Sequence, residues 1–178
     1  MKKYLVQYKP FLLFISIFFA TYIFLTLVYK SYLNLFEPSE VDGITNLVGD
    51  HVKYIMQLFG ADIRIQKNVS ESFLEVWYNK VYFVRIVEGC NAVSIVILFI
   101  SFVISFSGKW KSTVFFILFG VLFIYILNAI RIALLTVLLF RFPENQQFLH
   151  GVLFPLIIYG VVFILWIIWV NKFSKYAK

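Results

Sequence analysis

Cysteine is almost absent from this chain: Cys90 is the only one in 178 residues. No intrachain disulfide can therefore form, and the thiol is free unless another chain pairs with it. Histidine is nearly as scarce, with only His51 and His150. Two histidines and one cysteine give no recurrent metal-ligand spacing, and no glycine loop of the phosphate-cradling kind appears, so neither a metal centre nor a nucleotide cofactor is expected. Charged residues make up only 14% of the chain. No internal repeat or low-complexity linker divides it.

What fills the chain instead is apolar: 62% of residues are hydrophobic and 21% aromatic, with a mean hydropathy of +0.88. A water-soluble domain of that composition would expose large aggregating patches, so lipid must be the solvent for much of the surface. The net charge of +7 does not form the stripe or arm that nucleic acid needs. Lys2, Lys3 and Lys9 precede the first apolar run, Lys109 and Lys111 separate two others, and Lys172, Lys175 and Lys178 follow the last. Such spacing serves membrane orientation, and no nucleic-acid partner is expected.

A helix needs about 20 apolar residues to cross the roughly 30 Å hydrocarbon core. Four segments are expected to span, at about 11–29, 92–106, 114–140 and 151–170, the second of them short. The first run is too long for a signal-peptide core and lacks a small-x-small site after it, so it reads as a retained helix. The expected fold is an all-α integral membrane protein. It is a four-helix transmembrane bundle and a single membrane domain over 1–178, with a small α+β segment on the outer face. The lysines put both termini and the "GKWKS" turn in the cytoplasm. Residues 30–89, with eight acids against six bases, are then extracytoplasmic. Within them, apolar residues at helical spacing from Leu47 to Phe59 predict a helix stopping at Gly60. "DIRIQ", "SFLEVWYN" and "KVYFVRIVEG" predict short strands.

On this topology Cys90, Arg131 and His150 reach the same side of the membrane from three separate segments. A lone cysteine ordinarily packs as a small hydrophobe, and a helix-end histidine is ordinarily satisfied by water or backbone. An arginine inside a span, however, costs several kcal/mol (~2.5–3.5 at the centre) unless it faces a cavity or a partner. Asn128, three residues before Arg131, shares its helix face. At about 100° per residue Cys90, Ser94, Ser101 and Ser105 form one narrow stripe, which turns the thiol toward the bundle. A thiol reacts as its thiolate, a form favoured by a helix amino terminus and a nearby cation. His150 suits a general base that later protonates a leaving amine, and Arg131 suits an oxyanion or a substrate carbonyl. Acyl transfer through a thioester is the reaction class these groups favour. Glu88 and Asn91 flank the thiol as supporting residues for the loop or the oxyanion site.

"VEGCNAVSI", "NAIRIALL" and "FLHGVLFPLIIYG" together resemble the three signature blocks of the exosortase and archaeosortase family. They place the family's cysteine at Cys90, its Asn-x-x-Arg at Asn128 and Arg131, and its histidine at His150. The likeness covers about residues 55–159 and is nearest to the compact exosortase F forms of Bacteroidetes-type bacteria. It implies a cysteine transpeptidase in the bacterial inner membrane, with its site on the extracytoplasmic side. Such enzymes act on membrane-anchored proteins that carry a carboxy-terminal sorting signal, and pass the cut end to a surface acceptor, lipid or glycan. Two departures stand out: other members commonly have more spans, and Asn91-Ala92 follows the cysteine where many have Ser-Gly. A non-enzymatic scaffold or assembly subunit of a surface-export system is the competing reading. A small transporter element with Arg131 as an anion contact is a third.

Overall fold

The computed structural model describes residues 8–106 and 108–174; Lys2, Lys3, Lys175 and Lys178 lie outside them. The described chain is mostly helical, with one small sheet. Its elements run α1 (Lys9–Leu33), α2 (Gly43–Leu58), β1 (Ile63–Lys67), β2 (Phe73–Tyr78), β3 (Val81–Val87), α3 (Val93–Ser105), α4 (Trp110–Arg141), a single turn α5 (Gln146–Phe148) and α6 (Phe154–Lys172). Among the described residues, three segments are long and apolar enough to cross a membrane: Lys9–Leu33, Trp110–Arg141 and Pro143–Lys172. The fourth expected span, α3, has 13 residues and rises only about 20 Å.

Two compact units emerge. The first comprises the described parts of Met1–Ser31, Val93–Leu122 and Val161–Lys178. Aromatic rings pack it. Phe14 meets Phe102 edge-on at 5.8 Å, Phe102 stacks on Trp166 at 4.2 Å, and Trp169 lies 5.0 Å from Phe116. A Cβ at Gly120 would strike the Phe99 ring, so glycine is what lets that ring lie on the α4 backbone, as small residues do between membrane helices.

The second unit comprises Tyr32–Ala92 and Phe123–Gly160. Asp42 caps α2, its carboxylate accepting from Ile44 N–H at 2.9 Å and Thr45 N–H at 3.0 Å, which satisfies two of the first-turn donors. Gly60 ends the helix in the left-handed region, φ 72°. Its N–H donates to Gln57 O and that of Ala61 to Met56 O, the paired bonds of a Schellman stop. The three strands form an antiparallel sheet in the order β1-β2-β3. Asn79 and Lys80 close the β2–β3 hairpin with both φ positive, a type I′ turn whose twist matches that of the strands. In β3, Phe83 is one residue too many opposite Val76 and Trp77, a bulge. Gln66, Asn68 and Trp77 all donate to the Glu75 carboxylate and hold it below the usual carboxylate range.

Val48, Val52 and Met56 of α2 and Leu74, Val76 and Ile86 of the sheet share a core with Ala129, Ile132 and Ala133 of α4. Small residues on α4 admit the sheet side chains, and Gly49 similarly gives way to Leu74. Tyr125 Oη lies 2.8 Å from His51 Nδ1, fastening α2 to α4. The periodicity reading of α2, its glycine stop and the three strands all match this unit.

Candidate active site

Cys90 closes a 3₁₀ turn, Glu88–Cys90, between β3 and α3. The thiol is therefore not on the α3 face with Ser94, Ser101 and Ser105. Ala92 breaks the helix, with φ 64°, and Ser94 is exposed. The stripe holds only for Ser101 and Ser105, both buried and bonded back to carbonyls of their own helix. The left-handed conformation costs an L-residue with a Cβ about 1–2 kcal/mol. We expect Ala92→Gly to fold as well as the parent. Ala92→Val, β-branched at positive φ, should lose about 2 kcal/mol or more, read as thermal unfolding in detergent.

Asn128 is fully buried. Its Nδ2 donates to the Cys90 carbonyl at 2.7 Å, and Arg131 Nη1 donates to its Oδ1 at 3.3 Å. Carbonyl and guanidinium each accept only one orientation of the amide, so the two bonds fix it mutually. Asn128 thereby ties the cysteine turn to the arginine through the main chain of Cys90. The Arg131 Nε is buried and has no hydrogen-bond partner among the described residues. Buried donors are normally satisfied, so this nitrogen is an exception.

His150 stands in a π-helical turn, Leu149–Leu153. Pro155 follows, with no N–H to offer the carbonyl four residues back and a ring that crowds it. A widened turn just before it accommodates that loss, and such π turns are frequent at functional sites. Leu149 and Phe154, on either side of His150, pack into a cluster with Leu135 and Leu139 of α4. The backbone of the turn is thus anchored while the imidazole stays exposed.

One cavity of about 630 Å³ is lined by Cys90, Arg131 and His150 together, with β3 along one wall and Leu135 and Leu139 along another. The three residues picked out from the sequence thus share one concave surface. Of the supporting residues, Asn128 is the link just described. Asn91 is buried and donates to Thr45 Oγ1 at 3.2 Å, joining the cysteine turn to α2. Glu88 is exposed and lines two other clefts, one with Asp42 and Glu40, the other with Arg85 and Ser72. It does not line the Cys90 cavity.

Gln146 also lines the cavity and was missed. It lies one helical turn before His150, and i, i+4 residues share a face, but "RFPENQQF" reads as loop. Thr45 was likewise unpredicted as the partner of Asn91. Among the described residues no group of three or more His, Cys, Asp or Glu side chains is placed to hold a metal.

A comparison with family models matches residues 8–170 to the family described as Transmembrane exosortase (Exosortase_EpsH). No curated protein and no solved structure matches. The match runs through all three blocks that carry Cys90, Arg131 and His150 and covers nearly the whole chain, so this protein belongs to the transmembrane exosortase family.

Proposed function

We propose that the chain is a membrane-embedded cysteine transpeptidase that cuts exported proteins at a carboxy-terminal sorting signal and passes them to a lipid or glycan acceptor. The observation that carries this reading is the one cavity that Cys90, Arg131 and His150 share. His150 takes the Cys90 proton, and the sulfur attacks the scissile carbonyl carbon. The oxyanion that forms accepts from Arg131, whose charge is permanent. His150 returns the proton to the amine as the C–N bond breaks, leaving a thioester. An acceptor hydroxyl or amine then attacks the same carbon, His150 removes its proton, and the thiol leaves. Asn128 positions both Cys90 and Arg131 throughout.

The lysines support four crossings in the bacterial inner membrane. With both termini cytoplasmic, Lys109 and Lys111 reach the cytoplasm only if α3 also spans, as a short helix in a locally thinned bilayer. The 32 residues of α4 rise about 48 Å against a core of about 30 Å. Counted from its cytoplasmic start, that puts Arg131 near the outer boundary, where its charge costs far less than at the centre.

Hydroxylamine added to cells tests the reading, because it attacks a thioester in place of the acceptor and leaves a carboxy-terminal hydroxamate. Exported proteins ending in a hydroxamate should appear with the parent enzyme and vanish with Cys90→Ala. Hydroxamates that persist without the thiol would exclude Cys90 as the nucleophile, as would their absence in the parent.

A further inference from the structure

β3 is an edge strand, and its open edge faces the Cys90 cavity. Consecutive residues from Tyr82 to Val87 line that cavity. The outward-facing groups follow from the ladder. Asn68 N–H donates to Phe73 O, so Phe73 directs its backbone groups toward β1. Alternation then directs Leu74 and Val76 toward β3, where they pair with Ile86 and Val84. Arg85 is left with N–H and C=O on the outer side and Val87 with its N–H, while the Val87 C=O accepts the first bond of the 3₁₀ turn that follows. Among the described residues no backbone or side-chain bond to those outer groups is found. The bulge at Phe83 falls earlier in the strand, so the part nearest Cys90 keeps a regular edge.

An exposed edge is a template for another strand. This one ends at Val87, and a single 3₁₀ turn leads from there to the thiol. Resting on the acyl-transfer reading above, we propose that the substrate segment just before the scissile bond binds as an added strand on β3, bonded to Arg85 and Val87 through its backbone. The residues after the scissile bond lead to the substrate's own membrane anchor, so the bound segment runs parallel to β3, toward Cys90. Leu135 and Leu139 give the same cavity an apolar wall, which alternate substrate side chains meet, as in strand addition elsewhere. Backbone pairing accounts for grip, and that wall for selectivity.

The test uses the full chain in lipid nanodiscs and a biotin-tagged pool of random pentapeptidyl chloromethyl ketones, which alkylate a thiol with loss of chloride. Two or more added backbone bonds predict labelling of Cys90 about 10-fold faster than by alanyl chloromethyl ketone. Val87→Pro removes one outward N–H and should erase most of that length advantage, with the iodoacetamide rate unchanged; Val87→Ala should keep it. On the parent protein, N-methylating one alternate set of probe amides should abolish the advantage, and the other set should leave it intact. That series decides the matter even if Val87→Pro misfolds. No length advantage, or equal sensitivity at every amide, overturns strand addition. Failure of the acyl-transfer reading would show separately, as substrate processing that survives Cys90→Ala.

Discussion

Cys90→Ala and Cys90→Ser are each expected to abolish substrate processing, by at least about 10³-fold, with the protein accumulating in the membrane at the parent level. The second half of that expectation comes from the structure. The bond that holds the cysteine turn runs from Asn128 to the Cys90 main-chain carbonyl, which both variants keep. Removing the side chain therefore takes away the sulfur and little of the fold. Serine retains a polar group of similar shape, but its hydroxyl ionises far less readily than a thiol and is a poorer nucleophile without a strong base. A scaffold would tolerate both changes. Pulse-labelling of a precursor with membrane immunoblotting reads both quantities, and full processing by either variant would remove the enzyme reading.

The second large effect is expected at Arg131, and it turns on shape more than charge. Arginine here has one nitrogen committed to Asn128 and another, Nε, unpaired in the buried wall. Lysine preserves the charge but is a single point donor on a flexible stem. It cannot hold Asn128 and an oxyanion at once. Arg131→Lys should lower the processing rate about 10²–10³-fold, the usual loss when an oxyanion donor goes, with near-parent membrane levels. Arg131→Ala should also destabilise the fold by about 1–3 kcal/mol, because the buried Asn128 oxygen loses its partner. Near-parent rates in Arg131→Lys would mean that a cation alone suffices. Solute flux that depends on Arg131 and not on Cys90 would instead favour a transporter element.

Much of the second unit was legible from residue pattern alone. The α2 face repeats Val48, Val52 and Met56 at helical spacing, and Gly60 supplies the stop, so the helix and its end follow from local chemistry. The strands announce themselves by β-branched and aromatic runs between polar breaks. The cysteine's local geometry was not legible, because nothing in "GCNAVSI" signals that an alanine adopts a left-handed conformation. Helical periodicity counted through Ala92 therefore carried Cys90 onto a face it does not share. The π turn at His150 has a cause in Pro155, but a proline marks only a disturbance and not the direction a neighbouring side chain takes. Gln146 and Thr45 enter through tertiary contacts that leave no periodic trace. That Cys90, Arg131 and His150 line one cavity could be anticipated for another reason: a thiol, a guanidinium and an imidazole stand out sharply in an apolar chain.

The central claim is that Cys90 carries the acyl group. Intact-protein and peptide mass spectrometry of the parent enzyme, purified from cells that make its substrate after an acid quench, tests it most directly, since acid halts transfer to the acceptor. The account predicts a substrate fragment linked to Cys90 and released by neutral hydroxylamine. An acyl group on any other side chain, or an unmodified Cys90 in cells that still process substrate, would contradict it.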